Sequence, residues 1–292
     1  MIKYRCKKKG STMDYTAIST DCSFSTVFGD SLRHLWKAIR RLWPGYLAIF
    51  ATSAVVSWII STAISIAAGD SIDVMTSIRI ANAIDGILAG TIGLVCSVAT
   101  VVAVREFEFG REPTCLETFK LAFAKWPISF AATIAIAIVT GFLFCLCIIP
   151  GIIFATYFTF ALMMVILGDA TITESFGMSK KLVTGHWWET FGIALVLTMF
   201  SALLCGPGAA IEFIGALPLG ITEGMKGSEH EVTAAATVAC YALDFVCTVF
   251  GDTLNSIAKM VVPVGITILY LRRASAAQQV IGHGDLVHGE CA

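Results

Sequence analysis

The sequence predicts an all-α polytopic membrane protein, a bundle of six transmembrane helices arranged as three hairpins with interfacial amphipathic helices. Three observations predict this class. Apolar residues make up 57% of the 292 residues and charged residues only 14%, with a mean hydropathy of +0.80. Soluble domains carry about 25% charged residues, so this composition is typical of a chain surrounded mainly by lipid. The other two observations are a series of long apolar runs and a one-sided distribution of basic residues between them.

The apolar runs divide the chain into a polar N-terminus, a membrane domain and a polar tail. Residues 1–22 and 274–292 are predicted to be disordered, and residues 23–273 to form the membrane domain. A helix needs about 20 apolar residues to span a hydrocarbon core of about 30 Å. The spans predicted on this basis are residues 44–68, 84–104, 127–149, 150–168, 188–217 and 252–271.

The last apolar segment, residues 232–271, is too long for one crossing and leaves two arrangements open. It is either one helix whose first half projects beyond the bilayer, or two spans divided at Gly251-Asp252. With six spans, seventeen of the 20 Lys and Arg residues lie on one side of the membrane and two lie in the opposite loops. Because basic residues accumulate on the cytoplasmic side, this count favours six spans with both termini cytoplasmic. Seven spans would place Arg272-Arg273 outside.

Short amphipathic helices are predicted on the cytoplasmic side of the membrane, before the first, third and fifth spans. The first, residues 25–42, carries basic side chains on one face and leucines on the other, a pattern that is drawn to anionic lipid headgroups. The other two begin with capping-box spacings at Thr114 and Thr171. All three share an acidic, a hydroxyl and a large apolar residue in succession. These triplets are Asp30-Ser31-Leu32, Glu117-Thr118-Phe119 and Glu174-Ser175-Phe176. They predict three copies of one unit, an interfacial helix followed by a hairpin.

Glycine and proline patterns predict where helices approach and where they turn. Gly86, Gly90 and Gly93 lie on one face of the second span, and the first two match the GxxxG pattern of closely packed helices. This face is predicted to pack inside the bundle, with a dimer seam as the alternative. Pro150-Gly151 suits a type II turn and predicts a tight hairpin between the third and fourth spans. Gly206-Pro207-Gly208 predicts a kink or break in the fifth span.

A polar stripe makes the last segment the candidate functional site. Its eight residues recur at spacings of three or four, which places them on one helix face. They are Thr233, Thr237, Tyr241, Asp244, Thr248, Asp252, Asn255 and Lys259. Lys259 is predicted to lie within the hydrocarbon, where a charge costs about 2.5–3.5 kcal/mol and needs a partner. Asn255, Asp252 and Glu212 of the fifth span are the candidate partners. Such a stripe is typical of a polar pathway or solute site and, more often, of a polar seam that fixes the bundle.

No cluster of residues indicates reaction chemistry. The HExxH, GxSxG and CxxC motifs are absent, and most of the ten cysteines lie in apolar runs, where cysteine is typically a small apolar filler. The sequence therefore predicts no catalytic residue, cofactor, metal or nucleic-acid partner. His283, Asp285, His288 and Cys291 in the tail are more typical of an unstructured segment than of a metal site. The predicted partners are membrane lipids with anionic headgroups at the inner face, and a homo-oligomer stays open.

Parts of the chain resemble a known family. The residues that carry the resemblance are Pro150-Gly151, Glu174-Ser175, Ser179, Leu182-Val183, Gly185, Trp187-Trp188, Val262-Pro263 and Leu269-Tyr270-Leu271-Arg272. Their arrangement is similar to that in bacterial and archaeal six-span proteins related to the membrane domain fused to some glycerophosphodiester phosphodiesterases. The resemblance implies a fold and a membrane location rather than a reaction. It implies no phosphodiesterase activity, because every polar segment is too short to hold the soluble catalytic domain.

Three functions remain open for a multi-pass protein of the cell membrane. The sequence favours a non-enzymatic protein that transports a small solute or organises the envelope and its lipids. The first alternative is a scaffold that recruits partners through the amphipathic helices of the inner face. The second is a lipid-modifying enzyme, for which the sequence offers only scattered acidic residues such as Glu106 and Glu108.

Overall fold

The protein is helical, with no strand, throughout the residues that the computed structural model describes, which are residue 18 and residues 20–68, 74–168, 170–224 and 234–288. The helices of these residues are α1 Phe24–Ala68, α2 Val74–Glu108, α3 Cys115–Leu146, α4 Ile148–Tyr157, α5 Ala161–Gly168, α6 Ile172–Val183, α7 Trp187–Gly224, α8 Ala234–Lys259 and α9 Val261–His288. The predicted all-α class is confirmed. Most of the N-terminal segment predicted to be disordered lies outside the described residues.

Five helical stretches are long and apolar enough to cross a membrane, judged by length and composition over the described residues. They are Gly86–Glu108, Cys115–Leu146, Ile148–Gly168, Trp187–Pro218 and Ala242–Ala277. Each overlaps one of the six predicted spans, although Cys115–Leu146 and Ala242–Ala277 begin ten or more residues earlier than predicted. The remaining prediction, residues 44–68, falls in the second half of α1 and is not among the five.

Two helices continue through points where the sequence predicts an interruption. Helix α1 joins the predicted amphipathic helix and the predicted first span, with Pro44 inside it. Helix α7 likewise runs unbroken through Gly206-Pro207-Gly208 and Pro218. A proline removes one backbone hydrogen bond, and a helix inside a membrane protein tolerates that loss where its neighbours satisfy the freed group. The fifth span was predicted to have a kink or a break, and the break is wrong because α7 is continuous there, whereas the kink stays a prediction.

The break between the third and fourth predicted spans lies at Cys147 rather than at Pro150-Gly151. Cys147 is extended (φ −169°, ψ 139°), and the two predicted turn residues lie in the first turn of α4. Proline is tolerated there because the first N–H groups of a helix have no partner within the helix. Gly151 instead permits a close contact, since a Cβ at this position would lie 2.6 Å from Cδ1 of Phe144. Helix α3 packs against both α4 and α5.

The predicted fourth span is two helices, α4 and α5, and Ser179 of α6 supports the break between them. The Ser179 hydroxyl donates a hydrogen bond to the Tyr157 carbonyl at 2.6 Å and accepts one from the Phe160 N–H at 3.1 Å. Buried backbone groups that a break releases need such partners. The Phe158 and Phe176 rings pack edge to face at 4.6 Å across the same junction.

The two predicted helix caps are confirmed. Thr114 caps α3 by accepting a hydrogen bond from the Glu117 N–H, and Thr171 with Glu174 forms a complete capping box at the start of α6. Hydrogen bonds from the Thr171 hydroxyl and N–H lower the pKa of the Glu174 carboxyl. Its negative charge therefore persists at neutral pH and complements the positive end of the helix dipole.

The three related triplets share a buried hydroxyl. Ser31, Thr118 and Ser175 are each 1% exposed. Each donates a hydrogen bond to a backbone carbonyl three or four residues earlier. The acidic residue of the second and third triplets accepts a hydrogen bond from the threonine that caps its own helix. Asp30 has Val27, which has no hydroxyl, three residues before it, and it pairs with Arg272 instead. The shared feature is thus a packing position occupied by a small hydroxyl side chain.

The described residues divide into two compact units. Unit 1 comprises those up to Arg41, together with Leu94–Met199 and those from Met260 onward, and unit 2 comprises those of Leu42–Gly93 and Phe200–Lys259. The core of unit 1 is apolar. Its largest fully buried side chains are Val27, Val98, Val101, Val104, Phe160, Met164, Val165, Leu197, Ile268, Leu269 and Leu271. Helices α2 and α9 supply three of these each, more than any other helix of unit 1.

The last apolar segment is interrupted at Met260 rather than at Gly251-Asp252. Helix α8 ends at Lys259, and α9 begins at Val261. Residues Val264–Ser275 of α9 are all buried. The helix continues to His288, so helix replaces most of the disordered tail predicted from Ala274. The side chains of the tail residues considered as metal ligands lie outside the described part of the chain.

Two consecutive arginines of α9 are buried, and each pairs with a different helix. The Arg272 guanidinium, in a residue 3% exposed, donates to the Asp30 carboxylate of α1. Arg273, 7% exposed, donates to the Glu189 carboxylate of α7 at 3.1 Å and to the Thr190 hydroxyl. The sequence predicts these arginines only as markers of the cytoplasmic side. Their pairing ties α9 to α1 and α7 inside unit 1.

Candidate functional site

The predicted polar site lies in unit 2, where α7 and α8 cross in antiparallel orientation. The Ser201 hydroxyl of α7 donates to the Ala258 carbonyl of α8 at 2.9 Å. Cys205, one turn further along α7, lies 3.9 Å from the Asn255 carbonyl, measured from its sulfur. The residue numbers of the contacting positions rise along α7 as they fall along α8, so the two helices are antiparallel. These small side chains allow the two helices to approach closely.

Glycines form the centre of the crossing. A Cβ added at Gly208 of α7 would lie 2.8 Å from the Gly251 carbonyl oxygen of α8. A Cβ added at Gly251 would lie 2.9 Å from the Gly208 carbonyl oxygen. Gly215 has the same role further along α7, where an added Cβ would lie 3.4 Å from Cα of Asp244. Backbone therefore meets backbone at this seam, and a larger residue has no space.

The polar centre of the crossing is a hydrogen bond between Glu212 and Asn255. The Asn255 side-chain N–H donates to the Glu212 carboxylate at 2.8 Å, and both residues are half-buried. The Asn255 side-chain oxygen is buried without a hydrogen-bond partner among the described residues. Both residues lie in helical stretches able to cross a membrane. The site therefore presents a carboxylate and an amide oxygen within helical stretches that are able to cross a membrane.

Asp252 and Lys259 flank this centre. Both are exposed residues of α8, and both lie close enough to interact electrostatically with the Glu212 carboxylate. Lys259 is the last residue of α8 and has the opposite sign to the two carboxylates. The hydrogen bond that Glu212 accepts comes from Asn255, whereas the sequence considers Glu212 as a partner of Lys259. The four predicted pathway residues thus fall in one unit, with Glu212 and Asn255 in direct contact.

The rest of the predicted polar stripe is described in part. Asp244 and Thr248 lie half-buried on α8, two turns and one turn before Asp252 respectively. Thr233 and the side chains of Thr237 and Tyr241 lie outside the described part of the chain. The stripe therefore extends at least from Asp244 to Lys259 along α8.

The glycines predicted to mediate packing of the second span lie on α2. A Cβ added at Gly86, Gly90 or Gly93 would meet no atom of the described residues within 4 Å. Glycines of two helices meet instead at Gly208 of α7 and Gly251 of α8. The sequence missed this contact because Gly208 stands beside Pro207 and suggests a helix break. The signal that could have found it is the spacing of small and polar residues along α7. These residues are Ser201, Cys205, Gly208, Glu212 and Gly215.

Among the described residues, no group of three or more His, Cys, Asp or Glu side chains is placed to hold a metal ion. The chemistry that the crossing itself can offer is oxygen coordination and hydrogen bonding. Glu212 interacts electrostatically with one further carboxylate, Asp252, and with one ammonium group, Lys259, so the local charge is net negative and favours a cationic guest.

Comparison with known proteins gives one match. The family model described as "Domain of unknown function (DUF7847)" matches residues 75–271, more than half of the chain. This range contains α7, α8 and the whole polar centre. No curated protein matches the chain. No solved structure matches it either.

Proposed function

We propose that this chain, which belongs to the DUF7847 family, is a non-enzymatic multi-pass protein of the cell membrane that carries a small cationic solute through the Glu212–Asn255 site. The observation that carries the proposal is the hydrogen bond between these residues within membrane-spanning stretches. Ionisable side chains in such stretches are costly and mark ion or solute pathways by default. The alternative is a polar seam that only holds α7 and α8 together.

The charge around the centre supports a cationic solute. Glu212 and Asp252 supply two carboxylates, and Asn255 supplies an amide oxygen that is buried and unpaired among the described residues. Oxygen atoms of this kind are the ligands of hard cations. The Lys259 ammonium is close enough to interact electrostatically with the Glu212 carboxylate. It would therefore compete with a cationic solute for that carboxylate. A cation that binds to Glu212 would displace the Lys259 ammonium from this carboxylate.

Transport is expected to depend on the charge of Glu212. In proteoliposomes that contain the full chain, Glu212→Gln should lower uptake of the transported cation by about tenfold or more, since one charge-assisted interaction is lost. The probes are Na⁺, K⁺ and tetramethylammonium, with chloride for comparison. Glu117→Gln is the matched control, because that side chain is exposed and glutamine also serves in a capping box.

Two results would count against the transport proposal. One is an absence of cation uptake above that of empty liposomes, and the other is equal uptake by the wild type and Glu212→Gln. The seam alternative makes a different prediction: the variant should lose thermal stability in detergent, with no cation flux in either protein. Measuring melting and flux on the same samples separates the two.

We also propose six spans with both termini cytoplasmic, residues 44–68 of α1 being the sixth span. The unequal distribution of Lys and Arg supports this topology. We further propose that the chain is related to the six-span proteins that resemble the membrane domain of glycerophosphodiester phosphodiesterases, as the sequence resemblance implies. Single cysteines introduced as Ser23→Cys and Lys226→Cys, in a chain without its native cysteines, are expected to react with an impermeant maleimide from opposite sides. Labelling of both from the same side would contradict six spans.

A further inference from the structure

A concave site lies in unit 1, between the first part of α1 and the turn that follows α2. It is a pocket of about 430 Å³ whose lining includes Lys37, Arg40, Arg41 and Arg111, with Glu112 as the one acidic residue. Pockets of about 300–1,000 Å³ hold small-molecule ligands. We propose that this pocket binds a phosphate group, carried either by a phospholipid headgroup or by free phosphate.

The charge of the pocket supports this ligand class. Four cationic side chains outnumber the Glu112 carboxylate of the lining and the Glu106 carboxylate beside Arg111, so an anion entering the pocket meets a positive potential. Three of the four are arginines, whose planar guanidinium groups bind phosphate oxygens in bidentate fashion. A carboxylate ligand has fewer oxygens to share among these donors. The chemistry of the donors therefore favours phosphate.

Two of the arginines are held in place by other groups. The Arg41 side chain donates from Nε to the Pro113 carbonyl at 3.3 Å, and its outer nitrogen lies 3.9 Å from the Glu112 carboxylate. Arg111 lies 3.5 Å from the Glu106 carboxylate. Such contacts reduce the ordering cost of binding, because the donors are already oriented.

The local backbone shapes the pocket through Gly110. This residue has φ +69°, a conformation that glycine adopts without strain and other residues rarely adopt. The turn brings Arg111 and Glu112 back beside α1. Behind it, the His34 ring stacks on Phe107 at 6.1 Å and lies 2.9 Å from the Glu108 carboxylate. The wall of the pocket is therefore fixed by a buried contact between α1 and α2.

The outer side of the pocket carries apolar surface suited to lipid. Trp36 is 59% exposed and Leu32 is 36% exposed, one helical turn apart on α1. The Arg40 guanidinium lies over the Trp36 ring at 5.4 Å. Exposed tryptophan beside arginine is typical of the headgroup region of a membrane. A phospholipid would place its phosphate in the pocket and its chains along this surface.

Binding can be tested with full-length protein in nanodiscs. The first arm uses phosphatidylcholine discs with some phosphatidic acid and counts, by native mass spectrometry, the anionic lipid retained. The second arm uses phosphatidylcholine alone and measures radiolabelled inorganic phosphate by equilibrium dialysis. The pocket variant is Lys37→Gln/Arg40→Gln. The control is Lys180→Gln/Lys181→Gln, which removes the same charge from exposed positions of α6.

The pocket variant is expected to lose about tenfold in affinity, and the control to stay within about twofold of wild type. If the pocket variant loses affinity only for the anionic lipid of the first arm, the site binds a lipid headgroup. If it loses affinity for inorganic phosphate in the second arm, the site binds free phosphate. Equal behaviour of the pocket variant and the control would overturn the proposal, because general surface charge would then explain binding. Absence of binding in both arms would overturn it as well.

Discussion

Asp30→Ala is expected to lower the unfolding free energy by about 3 kcal/mol, because it leaves the Arg272 guanidinium buried without its countercharge. The Arg272 side chain is 3% exposed and the Asp30 side chain 23%. Removing one partner of a buried pair costs more than the pair contributes, since the remaining charge stays away from water. The expected value is at the lower end of the range because the carboxylate is partly solvated. Two further contacts of Arg272, with the Asp21 carbonyl at 2.8 Å and the Thr26 hydroxyl at 3.4 Å, remain in the variant.

The measurement is unfolding in mixed micelles, with helical content followed as the denaturing detergent rises. Arg33→Ala is the matched control, because Arg33 pairs with the same carboxylate at 3.2 Å but has a side chain that is 71% exposed. An exposed pair contributes about 0–1 kcal/mol, so this variant should melt almost like the wild type. If both variants lose the same stability, burial of Arg272 is not the cause.

A double variant extends the test. Asp30→Leu/Arg272→Met removes both charges and keeps apolar volume in the core of unit 1. Replacing a buried ion pair with apolar residues is often neutral or stabilising, so the double variant should be more stable than Asp30→Ala. A double variant that is less stable would indicate that the pair contributes net stability here.

The sequence predicted the helices well and their interruptions poorly. Hydropathy depends on composition, so five of the six predicted spans overlap helical stretches able to cross a membrane. Interruptions depend on tertiary partners that hydropathy does not report. The break after α4 relies on a hydroxyl 22 residues away, that of Ser179 bonded to the Tyr157 carbonyl. Conversely, Pro44 lies within a continuous helix although it suggests a boundary.

The candidate site was partly predictable for a similar reason. Helical spacing placed Asp252, Asn255 and Lys259 on one face, and the position of Glu212 near the same membrane boundary suggested a partner. The sequence did not predict that Asn255 would be the donor to Glu212, because that depends on the register of two antiparallel helices. The sequence analysis did not predict that Arg272 is buried. The positive-inside rule explains a basic residue at this position without requiring that it pair with another residue.

The last prediction concerns the register of α7 and α8, on which the polar centre depends. Gly208→Ala is expected to lower stability by about 2 kcal/mol, since its Cβ would lie 2.8 Å from the Gly251 carbonyl oxygen and press on the Asn255 amide. Backbone cannot move aside as a flexible side chain can, so the two helices must separate.

Gly192→Ala is the matched control, at a position of the same helix whose chain neighbours are not prolines. A Cβ there meets no described atom within 4 Å. Alanine is the better helix former by about 1 kcal/mol, so this variant should be as stable as the wild type or more stable. The same substitution is thus expected to have opposite effects on stability at Gly208 and Gly192, measured by unfolding in mixed micelles. Equal effects of the two substitutions would show that α7 and α8 do not meet at Gly208. The hydrogen bond between Asn255 and Glu212 would then lose its structural basis, because the close approach of the two backbones is what brings these side chains together.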